Sequence, residues 1–208
     1  MIQRNEIGLI VPSHGILEHG IRFQLHSVQH YKNDFEKING FHSGNAILDE
    51  LLQKEAHNHK ECTTYLFYLN DELVAYCSLC ASSLFIDEQV DEKIVPIMHP
   101  AIEFRYFAVI QKYWGKEFEG TPTKISSYIF EQCIVYAFQI AQSILGVEYF
   151  VLHAKNDHRV RAFYKKHGFQ EFPEKMRPLT DDRFEKCIPA FIKLPSTNPS
   201  IEEIDFTK

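Results

Sequence analysis

From residue 21 to 28, apolar Ile21, Phe23 and Leu25 alternate with Arg22, Gln24 and His26. That period of two predicts a strand with one buried face. The polar stretch at 33–40 reads as loop. Over 41–60 the period changes: Ile47, Leu48, Leu51, Leu52 and Ala56 recur at helical spacing behind the capping residues Ser43, Gly44 and Asn45. Asp49 and Glu50 lie early in this helix, where its dipole favours negative charge. Apolar runs at 63–69 and 72–79 predict two strands joined at Asn70 and Asp71, a two-residue turn signal that lacks its usual glycine. Residues 87–93 are charged and lead to Pro96 and Pro100, which reads as an excursion between strands. Residues 101–110 predict the next strand, with Glu103, Arg105, Phe107 and Val109 on one face. Ile125, Ile129, Phe130, Cys133, Ile134, Ala137, Phe138 and Ala141 form a broad apolar stripe, so 126–145 predicts a long helix stopped by Gly146.

The stretch 148–172 is the most informative. Tyr149 to His153 is a short, continuously apolar run, as in a strand buried on both faces. Asn156 and Asp157 break the run, and either can cap a helix by accepting a backbone N–H. Val160, Phe163 and Tyr164 then share one helical face, opposite Arg159, Arg161, Lys165 and Lys166. Gly168 falls where a helix-ending residue must turn left-handed, and Phe169 begins another extended piece. Residues 187–194 predict a last strand, which Pro189 would push toward an edge.

With 45% hydrophobic residues among 208, the chain can bury a full core as one domain, expected over 21–194. Residues 1–20 form an N-terminal extension with no legible role, and 195–208 a polar, acidic tail expected to be disordered. The net charge of −6, with no long run of basic residues, argues against nucleic acid as a partner. No window approaches the length of a membrane span, and the N-terminus lacks an apolar signal core. No membrane contact and a cytoplasmic location are therefore expected. Five cysteines, an odd number, suit reduced thiols. His57, His59 and Cys62 with Cys77 and Cys80 superficially look like a zinc site, but a spacing of three in a strand sends Cys77 and Cys80 to opposite faces. No metal is expected.

The composite N-D-x-x-x-x-A-F-Y-x-x-x-G-F at 156–169 closely resembles motif B of the GNAT superfamily of N-acetyltransferases. The resemblance implies transfer of an acetyl group from acetyl-CoA to an amine. It places Asn156 on the pantetheine or its phosphate side and makes Tyr164 the group that protonates the departing thiolate. Phe107-Ala108-Val109 resembles the family's fourth strand, whose backbone receives the pantetheine arm as an added strand would. Glu103, on the same strand, is the nearest candidate for a general base. FHSGNAILDELLQKEA at 41–56 is similar to a segment of the branch that includes toxins acetylating aminoacyl-tRNA. The implied fold is an α/β GNAT sandwich: a mixed, mostly antiparallel twisted sheet splayed in the middle, with helices on both faces and a β-bulge near Phe107.

The phosphate loop departs from the family pattern. The family's glycines let backbone N–H groups approach the pyrophosphate, but here Glu117 and Glu119 stand at those positions. A route through Gly115, Lys116, Gly120 and Ser126, with the helix N-terminus behind them, is the expected alternative. The expected partner is a small-molecule or peptide amine, with a homodimer left open by analogy. Two other readings stand beside it: a toxin-like aminoacyl-tRNA acetyltransferase, and a non-catalytic binding protein with a degenerate phosphate loop.

Overall fold

The computed structural model describes residues 13–58, 61–141, 146–179 and 186–194. The expected tail at 195–208, the first twelve residues and His59 lie outside them. The fold is mixed α/β with a mostly antiparallel sheet. Two compact units share it: one comprises the chain through Cys80 together with Phe104–Ala137, the other Ala81–Glu103 together with the chain from Phe138.

In the first unit, β1 (His14–Ile16) pairs with β2 (Arg22–Leu25), which pairs with β3 (Thr63–Leu69), itself paired with β4 (Glu72–Val90). Part of the N-terminal extension is thus a sheet strand. Asn70 and Asp71 turn β3 into β4 with φ of 49° and 62°. Their short polar side chains tolerate the left-handed conformation that glycine usually supplies. The expected loop at 33–40 is instead helical, because Ser27 caps α1 (Val28–Asn33) and α2 (Phe35–Asn39) follows. Ile38, fully buried at its end, anchors that turn in a core with Phe41, Leu52, Leu66, Tyr68 and Tyr76.

The expected helix over 41–60 is real but not uniform. Asn45 caps α3 (Ala46–Glu50) by accepting the Ile47 N–H at 3.1 Å, and the chain then widens into a π-helical turn at Leu51–Glu55. This shift buries Leu52 completely, whereas Ile47 is 70% exposed. The Ser43 N–H and Oγ both donate to Asp49 Oδ1, at 2.8 and 2.6 Å, and Gly44 has φ of +79°. The serine and glycine of this segment are therefore structural necessities of its entry turn. α4 (Ile125–Ile140) buries Ile125, Ile129, Phe130, Cys133 and Ala137.

The charged excursion expected near 87–93 is not a loop. β4 continues to Val90, and β5 (Lys93–Val109) returns after a two-residue turn at Asp91 and Glu92, both at positive φ. Pro96 and Pro100 are tolerated within β5 for a specific reason. The Pro100 C=O accepts the Glu148 N–H at 3.1 Å, so the proline backbone faces away from β4, and Pro96 shares its parity. Neither missing N–H interrupts the β4 ladder. In the second unit β5 neighbours β6 (Tyr149–Lys155), which pairs with β9 (Cys187–Lys193), then β7 (Gln170–Glu171). β8 (Met176–Pro178) lies on β4. Contrary to expectation, β9 is not an edge. Pro189 directs its C=O to the Phe172 N–H, beyond the short β7 ladder, so its β6 side stays intact. Leu84, Ile86, Ala101, Tyr149 and Val151 form this unit's core.

Candidate active site

Of the residues singled out in the sequence, Glu103, Asn156 and Tyr164 lie in the second unit, and Phe107, Ala108, Val109, Gly115, Lys116, Gly120 and Ser126 in the first.

In the second unit, β6 runs out at Lys155 and Asn156 is exposed just beyond it. Asp157, not Asn156, caps α5 (His158–Lys166): its Oδ1 accepts the Arg159 N–H at 2.8 Å and the Val160 N–H at 3.3 Å. The Asn156 side chain is therefore not committed to the cap. The Val160 and Arg159 N–H groups hold the Asp157 carboxyl below its ordinary range. A depressed carboxylate stabilises the fold above its unfolded value and loses that contribution as pH falls. Asp157→Ala should lower the Tm at pH 7, and the gap should close as pH drops below about 4. Thermal melts across that range test this; a gap that persists unchanged at low pH contradicts it.

The other end of α5 closes with the Phe169 N–H on the Tyr164 C=O and the Gly168 N–H on the Lys165 C=O, both at 3.1 Å, with Gly168 at φ +89°. This is the paired-bond ending that a left-handed glycine permits. Tyr164 is thus fixed on a short helix pinned at both ends. Its half-buried ring meets Phe163 and Phe169 edge-on, with centroids 5.4 and 6.1 Å away. Glu103 is 3% exposed, and its Oε1 lies 3.6 Å from His153 Nδ1 on the neighbouring strand β6. The two form a buried carboxyl–imidazole pair. In the sequence His153 reads as the last residue of an apolar run; the signal is its polarity at a position where both strand faces are covered.

In the first unit, Phe104 and Phe107 both pack on Phe130, at 5.6 and 4.9 Å between centroids. Side chains three apart on a regular strand point to opposite faces, so the regular alternation expected over 101–110 does not hold between them. Ala108 is buried in the core. The Val109 C=O accepts the Trp114 indole N–H at 3.0 Å, a bond that nothing in the spacing announced. That carbonyl is already engaged, while Phe107 shares its strand-edge parity.

The loop after β5 differs from a glycine cradle. Glu117 bridges Lys124 in a small antiparallel turn, the Phe118 N–H donates to the Thr123 C=O, and the Ile125 N–H donates to the Lys116 C=O at 3.0 Å. Phe118 is buried and stacks on His19 at 4.4 Å, which turns Glu117 and Glu119 outward into solvent. The two carboxylates are thus hydrated, and their charge is screened. Gly115 and Gly120 take φ of +70° and +77° to make the loop's bends. The donors that helix geometry leaves without an intrahelical acceptor are the Ser126 and Ser127 N–H groups. Lys116 and Lys124 are exposed nearby in the chain. This set fits a pyrophosphate at a helix N-terminus, not one wrapped by the loop. Among the described residues no three His, Cys, Asp or Glu side chains are grouped to hold a metal ion, and no helix is long and apolar enough to cross a membrane.

No protein-family model and no curated protein sequence matches the chain. Solved structures do match. A mutant of the AtaT toxin aligns with a TM-score of 0.59 and 13% identity over 83% of this chain and 89% of that one. AtaTR bound with acetyl-CoA aligns at 0.58 and 15%, over 83% and 93%. AtaT complexed with acetyl-methionyl-tRNAfMet aligns at 0.53 and 14%, over 79% and 97%. The chain has the fold of these toxins, the GNAT fold that its motifs implied.

One expectation is corrected here. The resemblance leads to a small-molecule or peptide amine and the acidic balance to setting nucleic acid aside, yet a structure sharing this fold holds an acetylated tRNA. Net charge averages over the chain and hides local sign. Lys155, His158, Arg159, Lys165 and Lys166 are all exposed along one short segment, and Arg161 pairs with Glu171 at 2.7 Å.

Proposed function

We propose that this chain is an acetyl-CoA-dependent N-acetyltransferase acting on the amino group of an aminoacyl-tRNA. The observation that carries this reading is the unit from β6 through α5, in which Asn156 is free of the cap and Tyr164 is held by a pinned helix. The resemblance of the 41–56 segment to the toxin branch and the structures of AtaT with acetyl-CoA and with acetylated tRNA support it. A tRNA substrate also goes with a cytoplasmic location.

In this reading Phe107, the bends at Gly115 and Gly120, Lys116, and the first turn of α4 at Ser126 hold acetyl-CoA, with Asn156 on the pantetheine side. Bound acetyl-CoA supplies the activated thioester. Tyr164 donates its phenolic proton to the leaving sulfur. Glu103, buried beside His153, accepts the proton released by the attacking amine. The basic residues of α5 attract the phosphates of the acceptor. Orienting two reactants supplies much of the rate, so the proton acceptor contributes least.

Incubation of the protein with labelled acetyl-CoA and a set of aminoacyl-tRNAs tests the proposal. Labelled N-acetyl-aminoacyl-tRNA is the expected product, with growth arrest on expression. Firm acetyl-CoA binding without transfer to any aminoacyl-tRNA would overturn the acceptor and leave a non-catalytic binding role.

A further inference from the structure

Trp114 is the chain's one tryptophan. At 56% exposure it is the most exposed aromatic among the described Phe, Tyr and Trp residues. A single exposed apolar side chain is ordinary, but this one is not loose. Its indole N–H is satisfied by the Val109 C=O at 3.0 Å, so the ring cannot spin away without breaking a bond. Its benzo edge lies against Gly44, where even a β-carbon would come within 3.1 Å of it. Gly44 itself requires φ of +79°. Two separate elements, the end of β5 and the entry turn of α3, thus hold the ring in one orientation while more than half of the residue stays in water. The next residue, Gly115, has open space around it. Lys112 and Lys116 bracket the neighbouring Tyr113 ring, with their Nζ atoms 5.2 and 5.6 Å from its centroid; Lys112 is ion-paired with Glu72, which also accepts the Tyr113 hydroxyl, and Lys116 is exposed.

We infer that Trp114 is a stacking platform for a nucleobase, with Lys116 serving the adjoining phosphate. A fixed aromatic face with a lysine close by in the chain is an arrangement that binds unpaired nucleotides without hydrogen-bond readout. Holding the ring in place beforehand removes the ordering cost of capture. The inference rests on the proposed acetyl transfer for its context. The base comes either from the unpaired end of the RNA acceptor or from the adenine of coenzyme A, and the chemistry of recognition is shared.

The single tryptophan makes the test direct, because all indole fluorescence reports on this site. The native protein is titrated separately with a short unpaired RNA oligonucleotide, with coenzyme A, and with phosphopantetheine, which lacks the adenosine. Quenching by the oligonucleotide assigns the platform to the acceptor. Quenching by coenzyme A but not by phosphopantetheine assigns it to the cosubstrate. No quenching by either nucleobase ligand, or equal quenching by phosphopantetheine, overturns the inference. Binding of the same probes, labelled, to Trp114→Ala should weaken about 5- to 150-fold. Trp114→Phe should retain most of the affinity, which separates a stacking role from a local packing defect. Quenching does not depend on turnover. Its presence without acetyl transfer would sink the proposed activity and keep the platform, and transfer without it would do the reverse.

Discussion

Replacing Tyr164 with phenylalanine should slow acetyl transfer by about 100- to 10,000-fold, the range for loss of a general acid. Affinity for acetyl-CoA should hold, because the change removes one hydroxyl and leaves the ring. The packing against Phe163 and Phe169 is made by ring carbons, and the helix end uses the Tyr164 backbone. The expected signature is a fall in kcat with little change in KM, the mark of an interaction made only in the transition state. Steady-state assays with a thiol-release readout measure both. A rise in KM with kcat intact would instead make Tyr164 a binding residue.

Phe130→Ala should be the most destabilising single substitution in the first unit. The ring is fully buried and is the shared floor for Phe104 and Phe107, where the strand alternation slips. Truncation of a buried phenylalanine costs about 3–5 kcal/mol, because transfer energy is lost and a cavity remains. Urea unfolding gives that difference from the shift in midpoint at constant slope. A second consequence separates this site from an ordinary core position. With its floor gone, the strand at Phe107 should bind acetyl-CoA less well even where the variant is still folded. A loss below about 1 kcal/mol would mean that the two phenylalanines repack without the third.

Much of this arrangement could be read from residues in a row. The alternation at 63–69 and 72–79, the Asn70-Asp71 turn, the apolar run at 149–153 and the Gly168 stop are all local signals, and local backbone chemistry decided each of them. The misreadings share a cause. Residues 33–40 are polar but helical, because one residue, Ile38, is enough to anchor the turn to a core assembled from distant strands. The 87–100 stretch is charged and contains two prolines, yet it is strand, since the prolines face away from the β4 ladder and the charges face water. The Glu103–His153 pair joins two strands, and the Trp114 bond to Val109 joins a loop to a strand end. Neither has a spacing signature. The basic face of α5 was legible in the row, but the acidic total outweighed it because the formal charge carries no position.

Glu117 and Glu119 were the strongest argument in the sequence against a working phosphate site, and the loop's geometry changes their meaning. Burial of Phe118 between them directs both carboxylates outward, so their charge does not oppose a ligand at the Ser126 end of α4. The loop's own N–H groups are largely spent on the turn at 117–124, so the proposed phosphate site draws its affinity from the helix terminus, Lys116 and Lys124.

Calorimetric titration of the purified protein with acetyl-CoA tests this account most directly. Binding in the micromolar range, weakened by raised salt as lysine–phosphate contacts require, is the predicted result. No heat up to millimolar acetyl-CoA would contradict it, and would mean that this fold serves a ligand other than the one its helix terminus and Tyr164 suit.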